Sequence, residues 1–165
     1  MKKQRGFTLI ELLVVIAIIG LLSTLAVVAL NNARTKSRDA RRVSDIKQMQ
    51  TALELFFNDN GGYPTQEGNL GATYTVLCTD GWQATAAGCT ATNNTTYMAQ
   101  VPTNPTPDDN STDSVEYSYA AADTGSVSDN SEYSITYYLA ADTGGITGAQ
   151  YNTACASGVS GCTAQ

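Results

Sequence analysis

The strongest pattern along the chain is an unbroken apolar stretch near its N-terminus. Residues 7–30 contain one ionisable side chain, Glu11. At about 1.5 Å per residue, a helix of this length measures about 36 Å and can cross the roughly 30 Å hydrocarbon core of a bilayer. A secretory signal peptide has a shorter apolar region that ends at a cleavage site, whereas this stretch runs on into a helical pattern. We therefore predict a membrane-spanning helix that stays with the protein.

Residues 31–62 continue the helix with an amphipathic pattern. Side chains at spacings of three and four, apolar except for one glutamine, are Val43, Ile46, Met49, Gln50, Leu53, Phe56 and Phe57. The opposite side is assigned the charged residues Arg34, Lys36, Arg38, Asp39, Arg41, Arg42, Asp45 and Lys47. Gly61, Gly62 and Pro64 then favour a stop. The apolar face of this segment needs a domain on which to pack.

Residues 63–165 are rich in Thr, Ser, Asn, Gly and Ala, and two segments there alternate apolar and polar side chains. The segments are 115–119 and 133–139, and each is followed closely by the sequence Ala-Ala-Asp-Thr-Gly, at 121–125 and 140–144. We expect an antiparallel strand pair packed on the helix, with 74–77 as a third strand. The predicted fold class is α+β: a long N-terminal helix on a small, mainly antiparallel sheet, which forms a globular head.

Charge is distributed unevenly along the chain. All nine Lys and Arg residues lie between Lys2 and Lys47, whereas twelve of the fifteen acids follow Gln48. The rear of the chain therefore carries 0 − 12 = −12. An acidic, self-repelling surface of this kind favours solubility and argues against specific contact with nucleic acid.

Four cysteines lie in the acidic region: Cys78, Cys89, Cys155 and Cys162. Their even number indicates two disulfides and an oxidising compartment, while zinc binding would call for closer pairs. Short loops close readily, so we predict Cys78–Cys89 and Cys155–Cys162. Four cysteines allow three connectivities, and a bridge from the 78–89 loop to the C-terminal tail is the alternative.

Residues for catalysis or metal binding are sparse. The chain has no histidine, which excludes serine triads and imidazole metal sites. The tripeptides that begin at Asp123 and Asp142 resemble the aspartic-protease sequence, but nineteen residues do not supply two lobes, so we assign them to turns. Asp108, Asp109 and Asp113 are weak calcium candidates without the glycine and distal glutamate of an EF-hand loop. We expect neither an enzyme nor a cofactor, with calcium as the open exception.

The N-terminal sequence carries a specific resemblance. Residues 2–12 read Lys2-Lys3-Gln4-Arg5-Gly6-Phe7-Thr8-Leu9-Ile10-Glu11-Leu12. This closely resembles the class III leader of type IV pilins and of type II secretion pseudopilins. The resemblance implies that a membrane peptidase cuts after Gly6, removing leader residues 1–6. It also implies that the new N-terminal Phe7 is methylated and that Glu11 is retained for assembly.

The position of Glu11 has a physical explanation of its own. A carboxylate in an apolar helix costs about 2.5–3.5 kcal/mol at mid-bilayer, so it usually has a partner. Cleavage would free the α-amino group of Phe7, which on a neighbouring subunit could pair with Glu11 when both leave water together. We expect this pair to set the register between helices in a fibre.

The resemblance covers about the first 64 residues, and Val28 departs from it, because many members have proline there. Basic residues on both sides of the apolar stretch weakly favour the reverse membrane orientation. The resemblance instead implies a cytoplasmic leader and an extracytoplasmic head. The chain is then a single-pass protein of the inner, cytoplasmic membrane before assembly, and part of an extracellular pilus or a pseudopilus afterwards.

The function implied by the resemblance is a homo-oligomeric, helical filament for attachment, motility, DNA uptake or secretion. Its implied partners are the lipid bilayer before assembly, prepilin peptidase, an inner-membrane assembly platform with its ATPase, and minor pilins. The alternative is a non-polymerising, membrane-anchored binding module with an acidic, cation-binding head.

Overall fold

A computed structural model describes residues 6–107, 116–122 and 130–156 of the chain. One 52-residue helix, α1, runs from Leu9 to Asn60 and confirms the predicted long N-terminal helix. Gly61 ends it with a φ of 75°, a left-handed conformation that glycine adopts without a side-chain clash. Its N–H donates to the carbonyl of Phe57 at 2.8 Å, as expected at a helix C-terminus.

The chain divides into two compact units, Met1–Thr35 and Lys36–Gln165. The boundary falls inside the segment 31–62 that the sequence assigns to the amphipathic stalk. In the first unit, every side chain from Gly6 to Arg34 is exposed. In length and composition, α1 is a helix that could cross a membrane.

The second unit contains two small antiparallel sheets. In chain order the strands are β1 (Gly68–Leu70), β2 (Val76–Cys78), β3 (Gly81–Gln83), β4 (Thr96–Met98), β5 (Tyr117–Ala122), β6 (Glu132–Leu139) and β7 (Gln150–Cys155). A four-stranded sheet has the order β1-β5-β6-β7, and a three-stranded sheet has the order β3-β2-β4. A single 3-10 turn, Ala86–Gly88, follows β3 in the described part of the chain.

The predicted strand pair is confirmed as β5 and β6, which are antiparallel with Tyr119 opposite Ile135. Burial alternates along β6, so that Tyr133, Ile135, Tyr137 and Leu139 face the core. The segment 74–77 overlaps β2, which lies in the second sheet and not beside this pair.

The core of the second unit lies between α1 and the sheets. Helix residues Ile46, Met49, Leu53 and Phe56 pack with the inward side chains of β5 and β6 and with Trp82 of β3. Val43, Gln50 and Phe57, at the edges of the predicted stripe, are only half-buried. The helix is therefore fastened to the sheets through one apolar face, as the α+β prediction requires.

The assignment of three charged residues to the opposite side of the helix is wrong. Asp39, Arg42 and Asp45 are buried. Spacings of three and four place Asp39 and Arg42 in line with Ile46 and Met49, so the buried stripe extends one turn further towards the N-terminus. Burial of charge is tolerated here because these groups have polar partners.

Candidate functional site: the start of the long helix

The Gly6–Phe7 peptide bond lies in non-helical backbone just before α1. Both residues are exposed, and a Cβ added at Gly6 would meet no atom within 4 Å. A protease needs an accessible segment that it can draw out in extended form, and a bond outside the helical hydrogen-bond ladder meets that need. The predicted cleavage position is therefore sterically open.

Thr8 and Glu11 form a reciprocal cap at the start of α1. The Thr8 backbone N–H donates to Glu11 Oε2 at 2.9 Å, and the Thr8 hydroxyl donates to the same oxygen at 2.6 Å. The Glu11 N–H donates to Thr8 Oγ1 at 3.3 Å. This is the capping box of a Thr-x-x-Glu sequence, which satisfies backbone donors left unpaired in the first turn.

The cap orients the Glu11 carboxylate towards the residues that precede the helix. An ionised carboxylate has about four acceptor positions, so its bonds to Thr8 leave capacity for a further donor. Glu11 also borders a shallow groove of about 350 Å³, whose other lining residues are Phe7, Ile10, Val14 and Val15. The arrangement places an acceptor beside an apolar surface, which suits pairing with an amine during helix packing.

The structure contains a disulfide between Cys78 at the end of β2 and Cys89 after the 3-10 turn. Inside the loop it closes, Asp80 Oδ2 accepts the N–H groups of Thr90 and Ala91, just beyond the bridge. Cys155 ends β7. Cys162 lies outside the described residues, so the pairing Cys155–Cys162 stays a prediction.

The weak calcium candidates Asp108, Asp109 and Asp113 also lie outside the described residues. Within the described ranges, no group of three or more Cys, Asp or Glu side chains is placed to hold a metal ion.

A buried ion pair between Asp39 and Arg42 went unrecognised in the sequence. Arg42 Nη1 donates to Asp39 Oδ1 at 2.6 Å, and Arg42 Nε donates to Asn104 Oδ1 at 2.7 Å. Asp39 Oδ2 accepts the N–H of Ala141, just after β6, at 2.8 Å. The pair thus ties the segment 101–107, which contains Asn104, and the backbone just after β6 to α1. An Asp-x-x-Arg spacing on the buried stripe was the available signal in the sequence.

Asp45 and Tyr117 form a second buried polar contact. The Tyr117 hydroxyl donates to Asp45 Oδ2 at 3.0 Å. Burial raises the pKa of Asp45, although the Tyr117 hydrogen bond and the charge of Arg41 oppose the shift. Burial, followed by the Asp45 charge, also raises the pKa of Tyr117. This contact joins α1 to the first residue of β5.

Comparison with known families identifies the class of the N-terminal segment. Residues 1–27 match the family model described as the prokaryotic N-terminal methylation motif. Gly6, Phe7 and Glu11 all fall within the match. The match covers the predicted cleavage position and the front of α1, and the resemblance to pilins and pseudopilins is confirmed.

Individual relatives match longer stretches of the chain than the family model does. The chain is similar to the type II secretion system core protein G of Dickeya chrysanthemi, with 44% identity over 71 residues, or 43% of this chain and 46% of the relative. The protein of the same name from Escherichia coli strain K12 is 46% identical over 68 residues, or 41% and 47% of the two chains. The type IV major fimbrial protein of Dichelobacter nodosus is 45% identical over 56 residues, or 34% and 36%.

The similarity thus spans about half the length, or less, of these relatives. No solved structure matches the chain significantly.

Proposed function

We propose that the chain is a structural subunit of a prokaryotic filament, either a type IV pilus or the pseudopilus of a type II secretion system. The observation that carries the proposal is the N-terminal methylation motif, set at the start of a helix long enough to span a membrane. Relatives named for type II secretion and for type IV fimbriae support the same class. The chain's role is polymerisation, and no catalytic step is assigned to it.

Processing at Gly6–Phe7 is the first step in this proposal. Prepilin peptidase removes residues 1–6, and methylation of the new amine follows at Phe7. The bond is exposed and precedes the first helical residue, Leu9. Cleavage therefore requires no unwinding of α1.

Assembly is the second step. Residues 7–30 hold the subunit in the inner membrane, and the head, residues 63–165, lies outside the cytoplasm. The Cys78–Cys89 disulfide supports that placement, because such bridges persist in oxidising compartments. The apolar helices then transfer from lipid to the fibre core, where Glu11 pairs with the Phe7 amine of a neighbouring subunit. The assembly platform, its ATPase and the minor pilins are the partners for that transfer.

Between the two kinds of filament, the similarity to type II secretion core protein G favours the pseudopilus. Its matched regions are longer than that of the fimbrial relative, at 71 and 68 residues compared with 56. We therefore infer a secretion-type fibre subunit.

Expression of the chain in a bacterium with a type II secretion or type IV assembly system tests the proposal. Material sheared from the cells is sedimented and imaged by negative-stain electron microscopy. Thin helical fibres that contain this chain support the proposal. A chain that stays monomeric in the membrane, while the host's own pilin polymerises beside it, would contradict it and indicate the non-polymerising module.

A further inference from the structure

The exposed side of α1 in the unit Lys36–Gln165 carries cations around a floor of small side chains. Lys36, Arg41 and Lys47 are exposed, and so are the small residues Ala40, Ser44 and Thr51. At about 100° per residue, the small residues form a strip with the two lysines along one edge and Arg41 along the other. Lys47 and the three small residues, together with Val43 and Gln48, line a shallow groove of about 380 Å³. We call the three cations and the three small residues together the basic groove, although Lys36 and Arg41 lie along the strip without lining the shallow groove itself.

The acids of the same helical segment do not neutralise the basic groove. Asp39 and Asp45 are buried, and they bond inward to Arg42 and Tyr117. Arg41 approaches Asp45 only to 3.9 Å and leaves 63% of its side chain exposed. Within the described residues, Lys36 and Lys47 make no salt bridge. The segment therefore turns both acids and Arg42 inward, and it leaves the positive charges of Lys36, Arg41 and Lys47 outward.

The part of the chain after Lys47 has the opposite character. No Lys or Arg follows Lys47, although twelve acids do. Four of these acids are exposed in the described residues: Glu54, Asp59, Glu67 and Asp142. Glu54 accepts a hydrogen bond from the hydroxyl of Tyr63, and Asp59 accepts from the hydroxyl of Tyr97 and the side-chain amide of Asn58. These donors are neutral, so each carboxylate charge stays uncompensated.

We propose that the basic groove is an interface for a second copy of this chain and that it binds the acidic head of a neighbouring subunit in the fibre. This inference rests on the proposed filament function. Side-by-side heads, each with an excess of negative charge, repel one another at separations below a Debye length of about 10 Å. The groove supplies the missing cations, and its small side chains allow a neighbouring surface to approach them closely.

A neutralised variant, Lys36→Gln/Arg41→Gln/Lys47→Gln, tests the interface. The three positions are exposed, so the fold is retained, and thermal unfolding followed through Trp82 fluorescence checks this point. Loss of the three proposed ion pairs to the neighbouring subunit should lower the sedimented fibre fraction by about tenfold at low salt. Added salt should weaken wild-type fibres and have little further effect on the variant, because the charges that salt screens have been removed.

The matched control, Thr73→Glu/Thr85→Glu/Thr92→Glu, changes the net charge of the chain by the same amount as the neutralised variant. It does so at exposed positions in the head and keeps the groove intact. The proposal predicts that this control assembles several-fold better than the neutralised variant. Equal loss in both would show an effect of net charge alone and would overturn the interface.

Three further outcomes have separate meanings. Wild-type fibres together with normal assembly of the neutralised variant would overturn the interface and leave the filament function intact. Absence of wild-type fibres would overturn both. A normal fibre yield from the neutralised variant, combined with weaker binding to phosphatidylglycerol vesicles, would assign the groove to lipid headgroups and overturn the second-copy assignment.

Discussion

The Arg42 guanidinium donates a 2.6 Å hydrogen bond to the carboxylate of Asp39, three residues earlier on α1, and both side chains are fully shielded from solvent. Arg42 also donates to Asn104 and to the carbonyl of Pro105. Asp39 in turn accepts from the backbone of Ala140 and Ala141. One ion pair thus connects the helix to two segments that are more than sixty residues away in the chain.

Removal of one partner from this pair should destabilise the head strongly. Arg42→Met leaves the Asp39 carboxylate buried without its cation, so the free energy of unfolding should fall by about 3–5 kcal/mol. The single tryptophan, Trp82, is buried and reports the loss of tertiary structure during urea unfolding in detergent micelles. The double variant Asp39→Leu/Arg42→Met should recover part of the loss. Lys47→Met, at an exposed position of the same helix, should change the free energy by less than about 0.5 kcal/mol.

Asp45 should make the stability of the head depend on pH. Because burial raises the pKa of Asp45, its carboxyl group ionises at lower pH in the unfolded chain than in the folded one. The contribution of Asp45 to the free energy of unfolding therefore falls as pH rises from about 4 through the folded pKa. Asp45→Asn keeps an acceptor for Tyr117 and removes this titration. The variant should match the wild type near pH 3 and gain stability relative to it towards pH 7.

Urea unfolding of both proteins at several pH values measures that difference. Glu67→Gln serves as a control for loss of an exposed carboxylate. An Asp45→Asn variant that loses relative stability as pH rises would mean that the folded protein prefers the ionised carboxylate.

Part of this architecture follows directly from the sequence. The apolar stretch and the three/four spacing predict α1, and the alternation around Ile135 predicts β6 and its partner. Thr8 and Glu11 also stand in the capping-box spacing, although their hydrogen bonds became evident only in the structure. A strong periodicity predicts a helix or a strand from the sequence because each pattern places its apolar side chains on one buried face.

Other features could not be predicted for physical reasons. The strands β1, β3 and β4 are three residues long and lie in Thr- and Gly-rich sequence, too short to show an alternation. Charged side chains are generally exposed, so the sequence alone assigns Asp39 and Arg42 to the exposed side of the helix. Only knowledge of their partners would place them in the core. Those partners, Asn104 and the backbone after β6, come from distant parts of the chain.

The two roles of Glu11, helix cap and amine partner, can be separated by substitution. Glu11→Gln keeps a capping residue, because glutamine also serves in a capping box, but it removes the charge. Thr8→Val keeps the charge and removes the hydroxyl. If Glu11 pairs with the Phe7 amine of another subunit, Glu11→Gln should reduce the sedimented fibre fraction by tenfold or more, whereas Thr8→Val should retain most of it.

Membrane fractions from the same cells show whether each variant is inserted normally. Equal assembly of wild type and Glu11→Gln would reduce the role of Glu11 to capping the helix. Glu11→Asp keeps the charge on a shorter side chain and should fall between the wild type and Glu11→Ala.

The disulfides should stabilise a head that is short of bulky apolar side chains. Replacement of Cys78 and Cys89 together by serine reopens a loop with a sequence separation of eleven residues. This should lower the free energy of unfolding by about 2.5–3 kcal/mol. Non-reducing peptide mapping of sheared fibres should yield a Cys155–Cys162 peptide, and a Cys89–Cys162 peptide would contradict the local pairing.

The central claim, that this chain is processed and polymerised as a pilin-like subunit, is tested most directly by the intact mass of the subunit in sheared fibres. The account predicts a chain that begins at Phe7, carries one additional methyl group and has lost residues 1–6. Its N-terminal peptide should contain methyl-phenylalanine followed by Thr8 and Leu9. A fibre subunit that retains Met1, or one that is cut beyond Ala17 within the apolar stretch, would contradict the account.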